Sequence, residues 1–353
     1  MGCRHQITPK EQKVYLKRVL TGMRTTGSLH LGHYVGALKQ WKEIQDTGEY
    51  ECFFLLADVQ ALTTHADHPE LLTKSVREVV LDWLSVGLDP NLPHVHFVLQ
   101  SQVPERHELS VLLSMIARYK EVLRNPTLKT ELRTQQDATV GFMAYPVDQA
   151  ADIYMVSPQP GSESELLVPV GRDQSPHLEF ANSLARRFNK KYGLVFVPCT
   201  ALVGKLGRLV GIDGMTKMSK SLNNAINLSD DRKTVEESVR RMFTDPKRVR
   251  ADIPGDTRNN PVFIYHRAFN ADKAQVRDLG RLYRAGRVGD VEVKRKLAKA
   301  LNDFLDPIRQ RRLQYESVDV RGILEEGTWA ARKACQPVVE RVRELMHLSY
   351  PGG

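Results

Sequence analysis

Two stretches of the sequence combine side chains suited to binding phosphate. "TGMRTTGSLHLGHYVGAL" (21–38) places His30 and His33 on a glycine-rich turn. Imidazoles placed in this way can donate hydrogen bonds to phosphoryl oxygens as charge builds up on them, which is catalysis by orientation and electrostatics. "GMTKMSKSLNN" (214–224) adds two lysines and two serines. In isolation, this second stretch is equally compatible with solvated surface.

A metal site is the alternative role for the two histidines. No glutamate nearby completes a zincin pattern, and the four cysteines include no C-x-x-C pair. The sequence therefore predicts no metal bound by protein side chains and no disulfide framework. Cysteine usage of this kind is typical of a reducing, cytoplasmic location.

Short apolar runs alternate with helical patterns over the first two thirds of the chain. Residues 18–22, 52–58 and 94–99 read as buried strands, and the segments between them repeat apolar residues with helical spacing. This alternation predicts an α/β fold, a Rossmann-like doubly wound parallel sheet with helices on both faces. The histidine turn follows the first strand, so we expect it at the carboxyl end of the sheet, where nucleotides bind.

The chain changes character near residue 228, after which helical patterns follow one another. A loop rich in Pro, Gly and polar residues interrupts them at 244–261. We therefore predict an N-terminal extension (1–17), a catalytic domain (18–228) and an α-helical C-terminal domain (229–353). The last helix of that domain is in a position to pack back on the catalytic domain.

The positive charge is concentrated in the C-terminal part. The formal net charge is +9, and residues 229–353 carry 26 Lys and Arg against 19 Asp and Glu. Clustered basic side chains favour a polyanionic partner such as nucleic acid. No apolar run has the length of a membrane span, and the first residues are too polar for a signal peptide, so we expect no membrane association.

Taken together, "HLGH" and "KMSKS" resemble the paired signatures of class I aminoacyl-tRNA synthetases, in the order in which that class carries them. Further blocks resemble the bacterial tryptophanyl-tRNA synthetase family from about residue 18 to the last residue of the sequence. They are "ADVQALT", "QSQVPE", "YPVDQAADIYM", "VPVGRDQSPHLEFANSLARRFNKKYG" and "GDVEVKRKLAKALNDFLDPIRQRR".

This resemblance implies activation of L-tryptophan by ATP to tryptophanyl-adenylate, with release of pyrophosphate and then transfer to tRNA(Trp). Attack of a carboxylate on the α-phosphorus needs orientation and neutralisation of charge, and no protein nucleophile. Mg²⁺ bound through the ATP phosphates would share that work. The resemblance also implies a homodimer and an anticodon-binding role for residues 229–353.

The resemblance assigns phosphate chemistry to the two signatures. His30, His33, Lys217, Lys220 and Ser221 would be catalytic, with the two lysines serving the departing pyrophosphate. The residues implied to contact ATP are Arg24, Thr25, Thr26, Gly32, His33, Gly171, Arg172, Asp173, Leu209, Lys217, Met218, Ser219, Lys220 and Ser221.

The choice of amino acid would depend on a separate set of four residues. Indole has one ring donor and no acceptor, so a pocket that selects it needs a buried acceptor. Asp152 matches the family residue in that role. Tyr145, Gln149 and Gln174 would face the amino group of tryptophan.

Several positions depart from the family pattern. Arg24–Thr26 replaces a Gln-Pro-Ser or Gln-Pro-Thr triplet, and Gln60 stands where many members have histidine. Gln149 stands where methionine is common, and Arg172 where an acid is usual. These departures are typical of a divergent or auxiliary form, with altered sensitivity to tryptophan analogues expected.

Three other functions compete with this interpretation. A tyrosyl-tRNA synthetase could use Asp152 to accept from a phenol. A synthetase-derived protein that no longer charges tRNA could act as an RNA-binding or regulatory protein, although retention of both signatures argues against it. Nucleotidyltransferases with an H-x-G-H loop, such as pantothenate synthetase, lack the basic helical domain.

Overall fold

The structure is a computed structural model that describes residues 17–133, 137–171, 174–204, 209–216, 218–219, 222–246 and 248–349. Apart from Lys17, the predicted N-terminal extension lies outside the described residues.

A five-stranded parallel sheet forms the centre of the first part of the chain. Its order is β3-β2-β1-β4-β5, and every pair of neighbours is parallel. The strands are β1 (Lys17–Arg24), β2 (Tyr50–Ala57), β3 (Val95–Leu99), β4 (Glu165–Val170) and β5 (Cys199–Val203). Starting from β1, the chain therefore adds β2 and then β3 on one side of β1. It then crosses over and adds β4 and β5 on the other side of β1. The predicted α/β fold is confirmed, and the crevice expected at such a switch point lies between the carboxyl ends of β1 and β4.

The apolar run of β2 explains why helices cover both faces of the sheet. Cys52, Phe54 and Leu56 pack into one hydrophobic cluster, whereas Phe53 and Leu55 pack into the other. Side chains alternate between the faces of a strand, so a continuous apolar run must be buried on both sides.

In the described part of the chain, eight α-helices precede β4, and α9 joins β4 to β5. They are α1 (Leu31–His33), α2 (Lys39–Thr47), α3 (Asp58–His65), α4 (Glu70–Ser85), α5 (Pro104–Ser114), α6 (Tyr119–Arg124), α7 (Pro126–Leu132), α8 (Val140–Tyr154) and α9 (Ser175–Tyr192). A π-helical segment, Tyr34–Leu38, joins α1 to α2 within what the sequence pattern predicts as one regular helix. Such π segments are often found at functional sites.

Among the described residues from 229 onward the regular structure is helical. The helices are α10 (Arg232–Arg241), α11 (Pro261–Phe269), α12 (Lys273–Arg284), α13 (Asp290–Gln314) and α14 (Val320–Leu345). The predicted loop lies between α10 and α11, where the buried Arg248 guanidinium stacks on Tyr283 at 3.8 Å and its Nε donates to Ile253 O at 2.7 Å. The domain boundary at residue 228 stays a prediction.

The last helix packs against β3, which is an edge strand of the sheet. Leu99 N donates to Thr328 Oγ1 at 3.0 Å, and a Cβ on Gly327 would lie 2.2 Å from Phe97 O. The apolar pattern of "AARKACQPVVERVRELMHL" predicts this helix only from residue 330, whereas the helix begins at Val320. The earlier turns carry no apolar stripe where small and polar side chains make the contact with β3.

A search of the described residues finds no helix whose length and apolar character would let it cross a bilayer.

Candidate active site

A cavity of about 250 Å³ opens at the carboxyl ends of β1, β2 and β4. The structure brings six of the predicted site residues to its wall, although the sequence separates them widely. They are Arg24, Tyr145, Gln149, Asp152, Gly171 and Gln174. Gln60, one of the departures from the family pattern, also lines it.

His30 and His33 form a stacked pair at the start of α1. Their ring centroids lie 3.8 Å apart. His30 Nδ1 accepts from Gly32 N at 3.1 Å, and His33 Nδ1 accepts from His30 N at 3.1 Å. Because each Nδ1 acts as an acceptor, the proton of each neutral ring belongs on Nε2. In this tautomer, Nε2–H is the donor group of each imidazole.

The histidine turn and the second signature are in direct contact. Gly32 N lies 3.4 Å from Met218 Sδ. The main chain of the turn pairs with the segment that follows the second signature, through Leu31 N to Ile226 O and Leu228 N to Leu29 O, both at 2.9 Å. The proximity of the two stretches, which the sequence could only suggest, is therefore a property of the fold.

Asn224 organises the described part of the second signature. Its Oδ1 accepts from Ser219 N at 2.7 Å, and its Nδ2 donates to Asp213 Oδ2 at 2.9 Å. Burial of Asp213 is slight, and hydrogen bonds from Thr216 and Asn224 lower its pKa to about 2. Gly214 has φ +72°, a conformation that favours glycine. These contacts shape the entry to the loop.

Asp152 is a buried carboxylate on α8 that points into the cavity. Gln100 Nε2 lies 2.9 Å from both of its oxygens, and Arg106 Nε lies 2.6 Å from Oδ1. Burial raises the pKa of Asp152 to about 6, while Arg106 acts in the opposite direction and Asp148 adds to the rise. Since Oδ1 takes two of these donors and Oδ2 only one, Oδ2 retains acceptor capacity toward the cavity.

Tyr145, which lines the same cavity as Asp152, belongs to a network of polar side chains. Its hydroxyl donates to Glu131 Oε2 at 2.9 Å and lies 3.3 Å from His177 Nε2, while Asn125 Nδ2 lies 3.1 Å from His177 Nδ1. Burial, with Glu131 beside it, raises the pKa of Tyr145, so the hydroxyl stays protonated. Glu131 and His177 both line the cavity.

Among the described residues predicted to bind ATP, Arg24 and Gly171 line the cavity and the others lie outside its lining. Arg24 is exposed at its wall. Thr25 and Thr26 border a neighbouring hollow against α4, where the buried Thr25 Oγ1 has no hydrogen-bond partner among the described residues. Leu209 is buried in the core, and its carbonyl lies 3.5 Å from Met218 N.

Arg172, Asp173, Lys217, Lys220 and Ser221 lie outside the described residues. Among the residues that are described, no cluster of three His, Cys, Asp or Glu side chains could hold a metal ion.

The sequence did not predict four residues of the site. Glu131 and His177 line the cavity, and Gln100 and Arg106 are the hydrogen-bond partners of Asp152. Gln100 and Arg106 lie in or next to the block "QSQVPE", which had contributed only to the resemblance. Their role depends on contact with Asp152 on a distant helix, and no local pattern reports such a contact.

Comparisons with known proteins identify the family. The family model described as tRNA synthetases class I (W and Y) matches residues 16–306. The tryptophan–tRNA ligase of Treponema pallidum is 46% identical over 338 residues, which cover 94% of this chain and 97% of that protein. The chain belongs to the tryptophanyl-tRNA synthetase family. The tryptophan–tRNA ligase of Chlamydia caviae is 42% identical and covers 94% and 96% of the two chains.

A solved tryptophanyl-tRNA synthetase has the same fold. The enzyme from Campylobacter jejuni, complexed with ADP and tryptophan, superposes with a TM-score of 0.79 at 30% identity, covering 94% of this chain and 99% of that one. The prediction of a class I aminoacyl-tRNA ligase is therefore confirmed. Within the group, the tryptophan branch is favoured over the tyrosine branch.

Proposed function

We propose that the chain is a tryptophan–tRNA ligase. It activates L-tryptophan with ATP, releases pyrophosphate, and transfers the tryptophanyl group from the adenylate to a terminal ribose hydroxyl of tRNA(Trp). The observation that carries this proposal is Asp152, a buried acceptor in a cavity at the switch point of the sheet, beside two signature loops in contact.

The indole N–H would donate to Asp152 Oδ2. Arg106 Nε donates to Oδ1 of this carboxylate, and the side-chain amide of Gln100 donates to both of its oxygens. The orientation of the carboxylate is therefore set before the substrate arrives. A side chain without a ring donor would leave the remaining acceptor site of Asp152 Oδ2 without a hydrogen bond, which costs about 1–3 kcal/mol.

The amino group of tryptophan would lie at the other end of the wall, near Tyr145 and Glu131. Among the described residues that line the cavity, the carboxylates are Glu131 and Asp152, and Asp152 is already neutralised by Arg106. Glu131 is therefore the carboxylate suited to an ammonium group. Gln149 and Gln174 can add hydrogen bonds there.

The histidine turn and the second signature would bind the phosphates of ATP. The Nε2–H groups of His30 and His33 would donate to ATP phosphate oxygens, and Gly32 keeps the turn compact, since a Cβ there would meet the His30 ring at 2.9 Å. Lys217, Lys220, Ser219 and Ser221 would act on the leaving pyrophosphate. Mg²⁺ would enter with ATP and take its ligands from the phosphates and water.

Partners and location are further parts of the proposal. The basic helical region would bind tRNA(Trp) by its phosphates. A homodimer is supported by large side chains exposed just after α5: Met115 is 68% exposed and Tyr119 72%. We place the enzyme in the cytoplasm, where aminoacylation serves translation.

Amino-acid-dependent pyrophosphate exchange tests this function. Exchange should depend on tryptophan and be weak with tyrosine. Exchange supported by tyrosine but not by tryptophan would overturn the assignment. Exchange with tryptophan but no charging of tRNA(Trp) would favour the regulatory alternative instead.

A further inference from the structure

The segment Ser28–Leu31, which leads into the catalytic histidines, is held from two sides. One side is the chain segment after the second signature, which pairs with it through Ile226 and Leu228. The other side is α4, where Asp82 Oδ2 accepts from Leu29 N at 2.6 Å and Glu78 Oε2 accepts from Ser28 Oγ at 3.2 Å. Two carboxylates of one helix therefore fix the approach to His30.

Asp82 is 0% exposed, so its charge needs a cation. Arg312 supplies it from α13: Nη1 donates to Asp82 Oδ1 at 2.6 Å, and Nη2 donates to Glu78 Oε2 at 2.5 Å. A single guanidinium fork thus spans both carboxylates that hold the histidine turn. Arginine is suited to this task because its donors are rigidly spaced.

From these contacts we infer that Arg312 is a positioning residue for the histidine turn, acting through Asp82 and Glu78. It touches neither ATP nor tryptophan in the proposed site. Its helix belongs to the region proposed to bind tRNA, so the same contact joins that region mechanically to His30 and His33. The inference rests on the proposed function, since the rate of adenylate formation reports the position of the turn.

The adjacent Arg311 provides a matched control. Its Nε donates to Ser85 O at 2.6 Å, so it also joins α13 to α4 but contacts neither Asp82 nor Glu78. Arg312→Met and Arg311→Met each remove one positive charge and one arginine contact between α13 and α4. Only the first releases the carboxylates that orient the turn.

The experiment compares the two variants in tryptophan-dependent pyrophosphate exchange, with thermal unfolding measured in parallel. We expect Arg312→Met to lower kcat by about ten-fold or more, because small displacements of catalytic groups are costly, while KM for tryptophan changes less than about two-fold. Arg311→Met should lower Tm less, because it leaves no buried carboxylate without its cation, and should leave kcat near that of the unaltered enzyme. Arg312→Lys, which can pair with one carboxylate at a time, should give an intermediate kcat.

Equal kcat values for Arg312→Met and Arg311→Met would overturn the inference and make Arg312 a purely structural contact. A parallel rise in KM for tryptophan would do the same. If Arg312→Met does not fold, Arg312→Lys and Arg311→Lys are compared by the same criteria. Lack of exchange by the unaltered enzyme would instead contradict the proposed function.

Discussion

The rings of His30 and His33 stack with their centroids 3.8 Å apart, and each ring accepts a main-chain N–H of the same turn at Nδ1. The turn therefore sets both the tautomer and the direction of the two imidazoles. Their Nε2–H groups are donors that need no reorganisation when charge develops on a phosphate.

Replacement of His33 by asparagine should slow adenylate formation. The amide can still accept from His30 N but does not reproduce the Nε2–H donor. We expect kcat for pyrophosphate exchange to fall about 10²-fold, the usual loss for one donor to a transition-state oxyanion, with tryptophan affinity nearly unchanged. Binding of tryptophan without ATP, measured by calorimetry, is the control. An unaltered kcat with weakened tryptophan binding would contradict this role.

Asp152→Asn should weaken binding of tryptophan far more than binding of an analogue whose ring sulfur replaces the indole N–H. Asparagine is chosen because alanine would leave the buried Arg106 without one of its partners. We expect KM for tryptophan to rise by about ten-fold or more and KM for ATP to stay constant, because hydrogen bonds to charged groups are worth roughly 1.5–3 kcal/mol. If binding of tryptophan and binding of this sulfur analogue weakened equally, Asp152 would not accept a hydrogen bond from the ring.

Tryptophan binding should weaken as the pH falls through about 6. Burial raises the pKa of Asp152 to about 6, and the indole donor binds the ionised form. Binding should therefore strengthen from pH 5 to pH 7 and then level off. Calorimetric titrations across this range provide the test, and the Asp152→Asn variant should show a flat profile. The same pH dependence in the variant would assign it to another group.

Glu131→Gln should affect tryptophan but not its desamino analogue, indole-3-propionate. If Glu131 meets the ammonium group, loss of its charge should weaken tryptophan binding about ten-fold, and inhibition by the analogue should change little. Tyr145→Phe, which removes the hydroxyl that donates to Glu131, should produce a smaller loss of the same kind. A comparable loss for both ligands would place Glu131 elsewhere in the site.

Gly327→Ala should lower stability by about 1–3 kcal/mol, because overpacking a close contact forces the backbone to shift. The added methyl would lie 2.2 Å from Phe97 O, so α14 would have to move away from β3. Urea unfolding would measure the change. Gly141→Ala, where the new Cβ meets only Thr139 Oγ1 at 3.8 Å, is the matched control and should be neutral or stabilising.

Local sequence patterns predicted the architecture better than the site. The strands at 18–22, 52–58 and 94–99 were found within one or two residues, because buried parallel strands are compact apolar runs bounded by turns. The short strand β5 and the helix α11 had no such signal. The start of α14 was missed because the contact of Gly327 and Thr328 with β3 replaces the usual apolar stripe.

The signatures predicted that the two stretches lie together, and Gly32 contacts Met218, but the groups that orient the site depend on long-range contacts. Arg106 acquires its role through Asp152, and Arg312 through Asp82. Each of these arginines resembles an ordinary charged helix position in the sequence. Only the fold shows that it neutralises a buried carboxylate.

The contact of α14 with β3 also bears on how the protein is made. An edge strand presents unpaired main-chain groups to other chains. β3 leaves the ribosome long before the helix that covers it, so the nascent chain carries an open edge during most of its synthesis. Chains that stop before α14 should therefore aggregate, and efficient production should depend on chaperones that protect this edge until translation ends.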